Sequence, residues 1–226
     1  MVKYEKIPFR SRKMPDYTKG EEIFNTVSHM VGAAFGVIAL VLTVVFSALR
    51  GNVWSVVGSA IYGGSMIALY TVSSVYHGLR LNMGKRVMQV IDHCTIFLLI
   101  GGTYTPVVLS AIRPYSPAWG WTLFGIVWGC AALGITFTAI DMKRYEKLAM
   151  ALYLGIGWCV VLAIKPAMAS VPMEGLLWIL AGGVAYTIGA GLYALGAKRR
   201  YMHSVFHLFV VAGSILQFFG IFFYVI

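Results

Sequence analysis

Five side chains in this 226-residue chain have types and spacings that could do chemistry: Ser73, His77, Asp92, His203 and His207. His203 and His207 lie four residues apart, which puts both imidazoles on one stripe of a helix, the spacing at which helical zinc sites present a pair of histidines. Ser73 and His77 repeat that spacing. Three neutral imidazoles, from His77, His203 and His207, with a fourth position open to water, have the composition of a catalytic zinc site. Zn2+ held there brings the pKa of its water toward about 7. Asp92 is placed to accept that water's proton or to hold the water, and Ser73 to donate to a developing oxyanion or to orient a ligand. Such a centre suits hydrolysis of an amide or ester that arrives from the lipid.

Plainer readings stand beside this one. A lone histidine in an apolar segment usually bonds a neighbouring helix, and His29 and His93 are read that way. His93 follows Asp92 by one residue and points about 100° away around the helix, so the two are not expected to face one site. Glu22, Asn25 and His29 share a stripe by their i, i+3, i+7 spacing. They either flank the metal as a second shell, or Glu22 and Asn25 cap the first helix, where acidic residues and Asn are favoured. The histidine pair itself reads as ligands because His77 and Asp92 fall at the same depth.

That depth follows from the elements that carry these residues. Hydrophobic residues make up 59% of the chain and charged residues 12%, with a mean hydropathy of +0.80, outside the range of soluble domains. Seven apolar segments of roughly 20 residues, enough to cross a bilayer, are expected at about 22–48, 53–77, 87–111, 118–140, 147–168, 175–197 and 201–226. They form one all-α transmembrane domain over residues 21–226, behind a basic tail at residues 1–20. The first segment reads as a retained helix and not a signal peptide. Short joints carry Pro, Gly and charge. The Gly63-Gly64, Gly101-Gly102 and Gly182-Gly183 pairs read as close helix packing, and Pro106 as a kink whose freed carbonyl is met by nearby threonines. Trp119, Trp121, Trp178 and Tyr224 read as an outer aromatic belt.

The formal charge of +10 does not point to nucleic acid, because the basic residues sit in the tail and short loops. Fifteen Lys and Arg fall on one side and three on the other, which places the N-terminus in the cytoplasm and the C-terminus outside, in a multi-pass protein of the inner (plasma) membrane. That topology runs opposite to a G-protein-coupled receptor, and the last segment has no lysine for a retinal Schiff base. Cys94, Cys130 and Cys159 lie inside apolar segments without CxxC spacing, so neither disulfides nor a thiolate site is implied. The polar groups of segments one, two, three and seven then share a single layer near the cytoplasmic face. A one-sided site is expected, not an ion path, since polar groups in a membrane are expensive and usually functional.

Glu21-Glu-Ile-Phe-Asn25-Thr-Val-Ser-His29, Ser73-Ser-Val-Tyr-His77, Asp92-His-Cys-Thr-Ile-Phe97 with the following Gly-Thr-Tyr-Thr-Pro, and His203-Ser-Val-Phe-His207 resemble the bacterial hemolysin III proteins, which belong with the progestin and adiponectin receptor family. The resemblance runs over nearly the whole chain. It implies zinc on His77, His203 and His207, with Asp92 and Ser73 around its water. Kinship with alkaline ceramidases implies lipid amide hydrolysis, and the bacterial members' link to membrane fluidity implies a part in membrane homeostasis. Membrane lipids are therefore the expected partners, with no soluble protein partner. Two alternatives remain open: a cytolytic or channel-forming protein, as the family name implies, and a non-catalytic, receptor-like protein with a structural zinc.

Overall fold

The computed structural model describes Ser11, residues 13–196 and residues 199–226. Most of the basic tail, residues 1–10 and 12, and Lys198 in the last joint lie outside the described residues. Seven helices are long and apolar enough to cross a membrane: α1 Lys19–Leu49, α2 Val53–Gly78, α3 Met83–Tyr115, α4 Pro117–Asp141, α5 Glu146–Ser170, α6 Met173–Gly196 and α7 Met202–Tyr224. No strand occurs among the described residues. The chain is a multi-pass, all-helical membrane protein.

The helix starts follow from local chemistry. Thr18, not Glu22 or Asn25, caps α1: its hydroxyl accepts from the Glu21 N–H while the Glu21 carboxylate accepts from the Thr18 N–H, a reciprocal capping box. Asn52 and Asn82 cap α2 and α3 with their side-chain carbonyls. Beyond Pro106, which has no N–H to donate to the helix ladder, α3 widens into a π-helical turn over Val107–Ile112. The threonines beside it bond one turn back, Thr103 to the Leu99 carbonyl and Thr105 to the Gly101 carbonyl, both at 2.7 Å.

Small residues set how closely the helices approach. A Cβ on Gly182 of α6 would sit 2.8 Å from the Gly213 carbonyl oxygen of α7, and one on Gly63 of α2 would fall 2.6 Å from the Leu40 Cα of α1. Gly101 and Gly102 are likewise closed in by Trp128 and Ser65. Gly64 and Gly183, the second members of their pairs, face open space, so close packing explains four of the six glycines. The α1–α2, α2–α3 and α6–α7 pairs pack tightly and α7 returns against α1. The backbones of α5 and α6 approach at few points, joined by Trp158 Nε1 donating to the Thr187 hydroxyl at 3.0 Å. The acidic and imidazole side chains of α1, α2, α3 and α7 collect at the end where the chain begins.

Candidate metal centre

His77, in the last turn of α2, and His203 and His207, in the first two turns of α7, converge at that end. His203 Nε2 lies 3.3 Å from His77 Nε2 and 3.1 Å from His207 Nε2. Three imidazole nitrogens this close cannot each satisfy the others, because a ring nitrogen is either donor or acceptor. A tetrahedral ion with bonds of about 2.0–2.1 Å separates its ligand nitrogens by about 3.3 Å, so the spacing suits a shared cation. His77 and His207 are almost wholly buried. The triad could hold a metal ion, and its ligand set is compatible with zinc.

The second nitrogen of His77 is held by a carboxylate. Nδ1 lies 2.6 Å from Oε2 of Glu22, and the other carboxylate oxygen, Oε1, accepts from Lys85 Nζ at 2.7 Å. Lys85 also donates to the main-chain carbonyls of His77 at 3.3 Å and Leu79 at 3.0 Å, at the C-terminus of α2, where a cation is favoured. A proton on Nδ1, facing the carboxylate, leaves the Nε2 lone pair free for the triad. Glu22 is thus not the cap of α1 but a neighbour of the histidine cluster.

The other residues of α1 surround the same rings. The Asn25 amide nitrogen is 3.4 Å from His77 Nδ1. His29 stacks on His207, with centroids 3.7 Å apart and planes 12° off parallel, and neither of its ring nitrogens finds a hydrogen-bond partner. It is a stacking residue and not the interhelical hydrogen-bonding residue expected. Just before the helix, Tyr17 stacks on His203 at 4.9 Å and covers the cluster from the end of the bundle. Burial pushes the Tyr17 hydroxyl well above the usual phenol range, which keeps it neutral. Glu21 ties α7 into place: its Oε1 accepts from the N–H of Tyr201 at 2.6 Å, where the backbone turns left-handed (φ 60°) to begin the helix.

On its inner side the cluster opens into a largely apolar cavity between the helices. Ser73, Asp92, His203 and His207 form its polar head, while Leu69, Ile96, Ile100 and Leu154 are among its many apolar walls. Ser73 of α2 and Asp92 of α3 line this head from two helices. His93 borders the cavity as well as Asp92. The 100° between them does not separate them here, because the space is wide enough to meet two faces of α3. His93 still bonds its neighbours as expected: Nδ1 lies 2.9 Å from the Gln89 carbonyl oxygen and Nε2 3.4 Å from the Tyr193 hydroxyl of α6.

Residues 17–218 match the haemolysin-III related family. The chain belongs to that family. It is 36% identical over 214 residues to hemolysin-3 of Bacillus cereus, covering 95% of each chain. It is also 36% identical over 208 residues to the hemolysin-3 homolog of Bacillus subtilis (strain 168), covering 92% of this chain and 96% of the relative. The human monocyte to macrophage differentiation factor is more distant, 24% identical over 194 residues that cover 81% of this chain and 76% of the relative. That similarity ties the family to the wider progestin and adiponectin receptor group. The matched span begins at Tyr17 and encloses all three histidines of the triad.

Two participants were not legible in the sequence. Lys85 looks like a loop charge that sets topology, yet it sits in the first turn of α3, where the helix dipole disfavours a cation. That mismatch was the available signal that it needs a carboxylate. Tyr17 sits in a basic tail with nothing in its spacing to set it apart.

Proposed function

We propose that this chain is a zinc-dependent hydrolase of lipid amides or esters, related in chemistry to ceramidases, that acts in membrane lipid homeostasis. The observation that carries the reading is the placement of three converging Nε2 atoms, with Ser73 and Asp92 beside them, at the head of an apolar cavity inside the helical bundle. An apolar cavity with a few convergent polar groups at one end suits a ligand with a long chain and one reactive polar group. The cavity is walled in part by α5 and α6, whose backbones approach at few points, and a lipid entering from the side would pass between them.

Zinc held by three imidazoles supplies a Lewis acid and a water that ionises near neutral pH. The protein's own groups do the rest. The apolar walls hold the acyl chain, so that its carbonyl carbon lies at the polar head. Asp92 accepts a proton from the attacking water, or fixes that water, and Ser73 donates a hydrogen bond to the oxygen that gains charge or orients the ligand. The acyl C–N or C–O bond breaks, the water oxygen stays on the acyl carbon, and the proton passes to the departing amine or alcohol.

The test is release of fatty acid from a panel of ceramides, N-acyl amides and acyl esters by detergent-purified, zinc-loaded protein. Release that disappears in Asp92→Asn, with zinc retained, supports hydrolysis. An uncleaved panel removes the enzymatic part and leaves a structural or receptor-like metal. The Bacillus cereus relative carries the name hemolysin-3. Conductance across planar bilayers with purified protein would move the reading to a channel-forming function.

A further inference from the structure

We infer that Glu22 and Lys85 are positioning residues for the candidate metal: a buried carboxylate, held by a buried ammonium, sets the tautomer and the aim of His77. The inference rests on the metal-binding reading above, but adds residues that the three-histidine composition does not contain.

The geometry is specific. Glu22 uses both carboxylate oxygens, one toward His77 Nδ1 at 2.6 Å and one toward Lys85 Nζ at 2.7 Å. Its side chain is 22% exposed, against 0% for His77 and 8% for Lys85. Lys85 cannot swing away to solvent, because the His77 and Leu79 carbonyls accept its remaining protons and the Tyr76 ring lies under it at 5.1 Å. Three elements are tied by this pair: Glu22 on α1, His77 at the end of α2 and Lys85 at the start of α3.

A neutral imidazole can carry its proton on either nitrogen. In water the two tautomers interconvert, and a histidine protonated on Nε2 has no lone pair to offer the triad. The carboxylate at Nδ1 fixes the proton there, orients the ring and raises the basicity of Nε2; such partners typically change metal affinity by about 10- to 100-fold. Among the described residues no carboxylate bond is found at His203 or His207: His203 stacks on Tyr17, and His207 Nδ1 lacks a hydrogen-bond partner. The asymmetry marks His77 as the ligand whose direction is built most firmly. Lys85 acts one step further out, by holding the carboxylate in place through Oε1.

The experiment is a chelator competition that reads the zinc Kd of purified wild type, Glu22→Gln, Lys85→Gln and Lys85→Arg, beside the cobalt-substituted visible spectrum of each. Glu22→Gln keeps size and shape but removes the charge. The expected result is a Kd weakened by about 10- to 100-fold in Glu22→Gln, a smaller loss in Lys85→Gln, recovery toward wild type in Lys85→Arg, and a shifted cobalt spectrum in Glu22→Gln. Wild-type affinity and an unshifted spectrum in a folded Glu22→Gln would overturn the inference while leaving the metal reading intact. Zinc-free wild type, purified without chelator, would overturn the metal reading itself. If Glu22→Gln does not fold, the Lys85 pair decides: equal affinities in Lys85→Gln and Lys85→Arg overturn the inference.

Discussion

At the scale of single residues, the triad makes a strict demand: removing one imidazole of three should abolish tight binding, because two nitrogens fall short of the three protein ligands a catalytic zinc site uses. Metal content by mass spectrometry should give about one zinc per chain for the wild type, and none for His203→Ala or His207→Ala. The groups beside the triad should behave differently. Ser73→Ala and Asp92→Asn leave all three ligands in place, so zinc should stay while turnover falls by about 100-fold or more, the usual scale for losing a proton acceptor or an oxyanion donor. If the metal is only a staple, those two variants will keep the cellular phenotype and His207→Ala alone will unfold the protein. The pairs Ser73–His77 and His203–His207 stood out in the sequence by their helical spacing, and Asp92 by its depth in the third segment. The tautomer lock was not legible, because a carboxylate 55 positions from its histidine and a lysine taken for a loop charge meet only after three helices assemble. His29 was legible as part of the same stripe, but its role as a ring stacked on His207 depends on how α1 faces α7.

At the scale of elements, helix number and order were readable from apolar length alone, and the structure moves the expected ends by only a few residues. Which glycines sit between helices was not readable, since a pair such as Gly182-Gly183 has one member on each side of the contact. That difference makes a paired prediction. Gly182→Val would drive a side chain into the Gly213 carbonyl and the Gln217 side chain, an overpacking expected to destabilise by about 1–3 kcal/mol and to lower the melting temperature in detergent. Gly183→Val meets nothing within 4 Å and lines the cavity. It should leave the melting temperature unchanged and narrow the space for a lipid chain, seen as weaker protection from thermal unfolding by added lipid. Equal melting temperatures for the two variants would contradict the α6–α7 packing described here.

At the scale of the whole molecule, the decisive property is that the polar layer is one-sided. α1 and α7 begin there, α2 ends there and α3 starts there, so a site at that depth opens to whichever compartment holds the beginning of the chain. The excess of Lys and Arg on that side predicts that it faces the cytoplasm, which would place lipid processing within reach of the inner leaflet. Two exposed positions on opposite sides test this: Lys13, ahead of α1, and Arg50, in the joint between α1 and α2. In a chain with Cys94, Cys130 and Cys159 replaced by alanine, Arg50→Cys should react with a membrane-impermeant maleimide in intact spheroplasts. Lys13→Cys should react only after the membrane is opened. The reverse pattern would turn the site outward and make the basic loops poor guides to topology here. It would also require the hydrolysed lipid to come from the outer leaflet, with Tyr17 screening the histidines from the external medium and not from the cytoplasm.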